Sequence, residues 1–168
     1  MARGGRVHVD YRQLQRIQKK IEKLEHADFD KFCQSAAKEL AARLLSKVIR
    51  LTVTGQYPEG SGKVGGTLRR GWTTKTHQEA ESGSGRGGNA VSFAEDLRVT
   101  KRGSVYEIQV INPVEYASYV EYGHRTRNGK GWVQGRFMMT ISADEVERQA
   151  PQILEKKLTK FLKDVLEG

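Results

Sequence analysis

The sequence predicts an α+β domain: an antiparallel sheet of three or four strands packed against a long helix, with a short helix and a helical C-terminus. Three observations predict this class. Apolar residues recur at helical spacing over 28–53, short alternating segments bounded by glycine follow, and helical spacing returns from Phe137 onward. A chain of 168 residues is the usual size of one domain with its own core.

The N-terminal region is expected to be an arm, 1–9, followed by a helix over 10–25 that Asp10 caps. Its apolar residues form a narrow stripe at intervals of three, four and three residues: Leu14, Ile17, Ile21 and Leu24. So thin a stripe is typical of a seam for another helix, either in this chain or in a neighbouring copy. We therefore divide the chain into an N-terminal arm and amphipathic helix, 1–27, and a single α+β domain, 28–168.

The strongest helical signal covers residues 28–53, where Asp28 can cap the first turn. One face of this helix is apolar and is expected to cover the sheet: Phe29, Cys33, Ala36, Leu40, Leu44, Val48 and Leu51. Cys33 is interpreted as a small buried hydrophobe. Because it is the only cysteine, no intrachain disulfide can form.

The first strand is predicted from Leu68 to Thr76, where Leu68, Trp72 and the threonines alternate with Arg and Lys. Trp72 is expected to face the long helix, with Leu40 and Leu44 beneath it. A hairpin is expected later in the chain, around the dipeptide Arg-Gly at 102–103. Its strands are predicted at 97–101 and 105–111.

Two segments are expected to be flexible loops. The first, 78–94, is rich in glycine and serine and buries too little apolar surface to fold alone. The second, 124–131, is rich in glycine and basic residues. After it, Pro151 predicts either a kink in the C-terminal helix or the start of a new one.

The stretch from Asn112 to Phe137 predicts a short helix and a basic excursion. Asn112 can cap the helix, Pro113 suits its first turn, and Gly123 can end it with a positive φ. Tyrosines at helical spacing are expected to hold this helix against the sheet. Four basic residues and no acid follow: Arg125, Arg127, Lys130 and Arg136. Trp132 and Phe137 are expected to return the chain to the core.

Two motifs resemble a known family. One is Tyr-Ala-x-Tyr-Val-Glu-Tyr-Gly-His, followed by the basic loop and Gly-Arg-Phe-Met-Met, over 116–139. The other is Thr-Leu-Arg-Arg-Gly-Trp at 67–72. Together they resemble, over about 28–165, the tail-completion (head–tail joining) proteins of tailed phages, which also occur in prophages and phage-tail-like particles.

The resemblance implies a structural protein at the neck of the particle, in a closed ring, commonly of six copies. The expected partners are further copies, the tail tube or tail terminator protein, and head connector proteins. Assembly is expected in the host cytoplasm and residence in the virion. The motif residues are expected to be structural: Leu68, Arg69, Trp72, Tyr116, Tyr119, Glu121, Gly123, Gly135 and Phe137.

A ring of identical copies needs two different patches that meet head to side. The segment 103–123 holds three glutamates and no base, and 124–136 holds four Lys or Arg and no acid, so these segments could supply the two patches. The candidate interface residues combine the helical stripe with charged residues of both segments: Leu14, Ile17, Ile21, Leu24, Glu115, Glu121, Arg125, Arg127, Lys130 and Arg136.

No catalytic, cofactor or metal site is predicted. The four histidines have no ligand spacing, and one cysteine cannot complete a site. His124 is interpreted as a turn residue bonded to backbone. We therefore expect a non-enzymatic protein without a membrane span. With a net charge of +9, the alternative function is a sequence-independent DNA-binding protein that uses its basic arm and loops.

Overall fold

A computed structural model describes residues 11–25, 27–61, 65–83 and 89–167 of the chain. The expected arm and its cap, Asp10, lie outside these ranges. The helices are α1 (Tyr11–Glu25), α2 (Phe29–Leu51), α3 (Thr67–Gly71), α4 (His77–Ser82), α5 (Ala90–Asp96), α6 (Ala117–Tyr122) and α7 (Met138–Glu167). The strands are β1 (Thr100–Arg102), β2 (Val105–Glu107), β3 (Gly123–Arg125) and β4 (Trp132–Gln134). The α+β class and the helical C-terminus are therefore confirmed.

The strands of the described residues form two separate antiparallel pairs rather than one sheet. In the first pair, β1–β2, Arg102 lies opposite Val105. In the second, β3–β4, His124 lies opposite Val133. The hairpin around residues 102–103 is thus present but shorter than expected, because the chain continues through residues 108–111 without a ladder partner. The predicted sheet of three or four strands is therefore not found among the described residues.

Helix α2 is the central element, packed against α5 on one side and α7 on another. Asp28 caps it as expected, since its Oδ1 accepts a hydrogen bond from the Lys31 amide at 2.9 Å. The buried residues of the helix are Ala36, Ala41, Leu45 and Val48. Because several elements surround it, the buried set does not follow one stripe, and Phe29 and Leu51 are each 45% exposed. Cys33 is partly buried.

The segment predicted as the first strand is a short helix, α3. Its apolar residues Leu68 and Trp72 stand four residues apart, a spacing that suits one helical face as well as a strand. Both are buried, and Trp72 Nε1 donates to Thr52 Oγ1 at 2.7 Å, just beyond α2. Trp72 shares its buried cluster with Leu45 and Val48. The predicted pair beneath it, Leu40 and Leu44, instead lines a groove elsewhere on α2.

Residues 78–94, expected to be a flexible loop, contain helix α4 and the start of α5, with 84–88 outside the described residues. Helix α4 begins with a reciprocal capping box between Thr76 and Glu79. Helix α5 is capped by Asn89, whose Oδ1 accepts from the Val91 amide at 3.1 Å. Each helix buries one alanine, Ala80 or Ala94, in the core. Small buried alanines give little apolar signal, which is why composition alone indicated a loop.

Helix α7 runs through Pro151 as one helix, so of the two alternatives the start of a new helix at the proline is wrong. The helix lies along α2. Its Lys157 Nζ lies 2.9 Å from Glu39 Oε2, and Glu145 pairs with Lys47. These two ion pairs connect the two long helices on either side of the proline.

The first hairpin is tied to the start of α2 by Asp30. The carboxylate accepts hydrogen bonds from Lys101 of β1 and, at 2.6 Å, from the Tyr106 hydroxyl of β2. The Gln34 amide donates to its other oxygen at 2.7 Å. These bonds, first the one from Lys101, lower the pKa of Asp30 to about 2.

Replacing Leu45 by alanine is expected to reduce the free energy of unfolding by about 2–5 kcal/mol, because the side chain is fully buried. Leu51→Ala on the same helix is the control and should cost less than about 1 kcal/mol, since Leu51 is half exposed. Chemical denaturation measures both changes. Equal losses would mean that the core is not on this side of α2.

The stabilisation that Asp30 provides is expected to disappear in acid. Because its folded pKa is lowered from 3.8 to about 2, the ionised group stabilises the fold fully above pH 3.8. That contribution is lost as the pH falls through the folded pKa. The melting temperatures of wild type and Asp30→Asn should therefore differ most near neutral pH and converge toward about pH 2. Asp164→Asn, at an exposed site, is the control, and a difference for Asp30→Asn that is constant with pH would refute the assignment.

Candidate interface surfaces

Glu121 joins the short helix α6 to the long helix α7. Its Oε2 accepts from the Met139 amide at 3.0 Å, and its Oε1 accepts from the Thr140 amide and hydroxyl, both at 2.9 Å. The residue is only 6% exposed. A carboxylate at a helix N-terminus satisfies amides that have no partner within the helix and interacts favourably with its dipole. Glu121, predicted both as a structural motif residue and as an interface candidate, is thus buried and bonded within its own chain.

Backbone hydrogen bonds also join α6 to the residues just before α7, and we call this region the Glu121 junction. The Arg136 amide donates to Val120 O at 2.8 Å, and the Phe137 amide donates to Glu121 O at 3.0 Å. Phe137 precedes the first turn of α7 with φ 51°, and its side chain has no atom that can accept a hydrogen bond. An aromatic residue at this position leaves the helix uncapped, so the acceptor comes from another segment, α6.

Two glycines allow that approach. A Cβ on Gly135 would lie 2.3 Å from Glu121 O, and a Cβ on Gly123 would lie 2.4 Å from Val133 O. Gly123 also has φ 86° and ends α6 there, as predicted. The glycines of the motif are therefore required where α6, β3 and β4 meet.

The basic loop is the end of the hairpin β3–β4, and hydrogen bonds organise its tip. The Thr126 hydroxyl donates to Asn128 Oδ1 at 2.6 Å and accepts from the Gly131 amide at 2.9 Å. The Thr126 amide donates to Gly131 O at 3.0 Å. All four basic side chains of this region are exposed: Arg125, Arg127, Lys130 and Arg136. The structure therefore presents a basic hairpin with a hydrogen-bonded tip.

Aromatic residues beside the hairpin are exposed, contrary to expectation. Tyr119, Tyr122 and Trp132 are 58%, 63% and 58% exposed, and Tyr116 is 40% exposed. Tyrosines thus do not hold α6 to a sheet, and Trp132 does not return to the core. The residues that anchor this region instead are Val114, Ala117 and Val120, which pack in or against the core. These three aromatic residues, Tyr119, Tyr122 and Trp132, and the four exposed basic residues together form a surface that we call the hairpin face.

Sequence reasoning did not identify the aromatic part of the hairpin face, because exposed and buried tyrosines give the same helical spacing. The signal that could have revealed it is the small Ala117 beside larger neighbours, since the smallest residue of α6 packs inward. His124 is partly buried, and its ring lies edge-on to Tyr119 with centroids 5.7 Å apart. It lies in β3 rather than in a turn, and its Nδ1 is buried without a hydrogen-bond partner among the described residues.

The acidic segment 103–123 does not present three free carboxylates. Glu121 is engaged as described, and Glu107 Oε2 lies 4.0 Å from Arg102 Nε within the first hairpin. Glu115 is exposed. The structure therefore gives little support to an acidic patch that pairs with the basic hairpin of a neighbour.

The second motif anchors α3. Arg69 Nε donates to Ile49 O at 2.8 Å, near the C-terminus of α2 where a cation is favourable. Asn112, predicted to cap the short helix, instead donates from Nδ2 to Leu68 O at 2.9 Å and accepts from the Val114 amide at 3.1 Å. The helix begins only at Ala117, after a turn at residues 115–116 in which the Ala117 amide donates to Val114 O at 2.9 Å. A Cβ on Gly71 would lie 2.2 Å from Asn112 Oδ1.

The stripe of α1 is largely uncovered. Leu14, Ile17 and Ile21 are 51%, 55% and 51% exposed, whereas Leu24 is partly buried. Helix α1 contacts α7. The stripe and the hairpin face are therefore two separate exposed surfaces with large apolar side chains.

No group of three or more His, Cys, Asp or Glu side chains within the described ranges could hold a metal ion. None of the helices in the part of the chain that the structure covers is long and apolar enough to cross a membrane.

Replacing Glu121 by glutamine is expected to lower the free energy of unfolding by about 1–3 kcal/mol, because hydrogen bonds to a charged acceptor at a helix N-terminus are lost or weakened. Glu115→Gln, at an exposed site six residues earlier, is the matched control and should change stability by no more than about 0.5 kcal/mol. Chemical denaturation of both variants decides the matter. A neutral Glu121→Gln would mean that the cap does not support the junction.

Comparison with known proteins agrees with the motif resemblance. Residues 15–123 match the family described as "Bacteriophage HK97-gp10, putative tail-component". No curated protein and no solved structure matches this chain. The family match spans α1 to the end of α6, including Glu121, and covers more than half of the sequence. The chain therefore belongs to the HK97-gp10-like family of bacteriophage tail components.

Proposed function

We propose that the protein forms a ring at the neck of a phage or phage-tail-like particle, where it joins the tail to the head connector or completes the end of the tail. Family membership supports a structural role in the virion. The observation that carries the joining role is the hairpin face, a basic and aromatic projection held at its base by the Glu121 junction.

The anchoring of the hairpin supports this role energetically. Its base is held by backbone bonds from Arg136 and Phe137 to α6, and its tip by the bonds of Thr126. A segment that is already ordered loses less conformational entropy when it binds than a slack loop would. The hairpin is therefore suited to present its side chains to a partner in one geometry.

The composition of the hairpin face indicates the kind of partner. Trp, Tyr and Arg are the residues that contribute most often to binding energy at protein interfaces. Four exposed cations without an acid among them favour an acidic protein surface and would steer its approach. The proposed partners are the tail tube or tail terminator protein on one side and the head connector on the other.

The ring itself would consist of identical copies, with six as the expected number. Copies assemble in the host cytoplasm on the end of a tail or on a connector and remain in the virion. Neither the family match nor the hairpin supports an enzymatic role. The alternative of a sequence-independent DNA-binding protein has no support from the family match.

Reversing the charge of Arg125 and Arg127 together, with glutamate at both sites, is expected to reduce incorporation into particles at least about tenfold, since like charges then face the partner. Both side chains are exposed, so the melting temperature should hardly change. The control is Lys75→Glu with Arg98→Glu, an equal charge change at exposed sites away from the hairpin. Quantifying the protein in purified particles measures the effect.

The same variant separates the two functional classes. Normal particles from the Arg125 and Arg127 reversal would contradict the joining role of the hairpin face. If the free wild-type protein also bound duplex DNA tightly, with an affinity that falls steeply with salt, the DNA-binding alternative would replace it.

A further inference from the structure

Most of the apolar stripe on helix α1 is left uncovered by the residues that the structure describes, although α1 contacts α7. Leu14, Ile17 and Ile21 each retain about half of their accessible surface. An isolated helix of 15 residues is marginal in water and is normally stabilised by packing of its apolar face. The exposed stripe therefore indicates that α1 packs on a surface beyond its own chain.

A groove of about 390 Å³ lies between the central helix α2, the segment at and after β2, and α7. Its walls are almost wholly apolar and include Leu40, Leu44, Ile108, Val110, Ala143 and Ala150. In the folded chain this groove is open while the stripe is exposed, so α1 does not fill the groove of its own copy.

The stripe and the groove have matching lengths and carry opposite charges. From Leu14 to Ile21 the stripe rises about 10 Å at 1.5 Å per residue, and the α7 wall from Ala143 to Ala150 rises by the same amount. The charged residue in the wall is Glu147. On α1, Lys20 stands beside the stripe, one residue before Ile21 and three after Ile17.

We propose that α1 of one copy docks into this groove of the neighbouring copy, with the stripe against the walls and Lys20 opposite Glu147. The two surfaces are different, so the contact is heterologous and passes from copy to copy until a ring closes. This inference names the joint of the ring and therefore rests on the proposed function. It also replaces the pairing of acidic and basic segments, which the engagement of Glu121 weakens.

Pairing of α1 with α1 of another copy fits less well. Residues 14–25 contain four Lys or Arg and two Glu, so two such helices would bring like charges together. A symmetric pair also uses up both stripes and stops at a dimer. The groove, by contrast, has apolar walls for the stripe and an acidic residue, Glu147, for the lysine.

Cross-linking between copies tests the contact directly. In a Cys33→Ser background, chains with Ile17→Cys are mixed with chains with Ala143→Cys and oxidised at high protein concentration. We expect a disulfide between the two kinds of chain. Val105→Cys, which is exposed and outside the groove, replaces Ala143→Cys as the control and should give none. Links between two Ile17→Cys chains only, or a link within one chain that carries both cysteines, would overturn the proposal.

Sedimentation over a concentration series tests the energetics. Ile17→Asp should abolish self-association, whereas Gln15→Asp, off the stripe on the same helix, should reduce it much less. Lys20→Glu and Glu147→Lys should each weaken association roughly two- to fivefold, and their combination should restore it. Unchanged association of Ile17→Asp, or no restoration by the combined reversal, would contradict the docking. All variants are at exposed sites, so circular dichroism should show a normal fold.

Measuring incorporation into purified particles distinguishes a failure of this inference from a failure of the proposed function on which it rests. If the cross-links form but the protein is absent from purified particles, the neck function is refuted and the proposed contact between copies stands. If Ile17→Asp is incorporated into particles at the wild-type level, the proposed α1–groove contact is refuted and the neck function stands.

Discussion

The carboxylate of Glu121 is the interaction on which the second half of the structure depends. It serves three donors of α7 from a position in α6, and thus connects elements that no shared sheet holds together. Burying a carboxylate is costly unless hydrogen bonds replace its water, and here the start of a helix of 30 residues supplies them. The α7 amides need an acceptor from another segment because Phe137, which precedes the helix, has an aromatic side chain that cannot cap them.

That junction transmits position from the core to the surface. Helix α7 packs along α2 and buries Met138 of its first turn in the core, so its N-terminus is held relative to the core. Because Glu121 and the backbone of Val120 bind to that N-terminus, α6 and the hairpin inherit its orientation. Gly123 and Gly135 matter for the same reason, since a side chain at either would force the segments apart. The hairpin face is thereby oriented by the buried first turns of α7.

The parts of the fold that depend on local rules could be predicted from the sequence. Asp28 at the start of α2 and Gly123 at the end of α6 follow from capping chemistry. The prediction failed where one pattern suits two structures: Leu68 and Trp72 fit a strand or a helix, and only packing against Thr52 decides. Long-range polar contacts were equally inaccessible. Nothing near Glu121 in the sequence indicates that it caps a helix beginning 17 residues later, so an exposed interface role was the natural inference from its charge.

Pro151 has a consequence for the backbone chemistry of the α7 surface. A proline has no amide hydrogen, so within the helix the carbonyl oxygen of Glu147, four residues earlier, lacks its usual donor. That oxygen belongs to a residue of the groove wall. Glu147 therefore carries a main-chain acceptor without its helical donor as well as a carboxylate. If the neighbour's Lys20 docks there as proposed, its ammonium group has three hydrogens to donate and two kinds of acceptor on one residue.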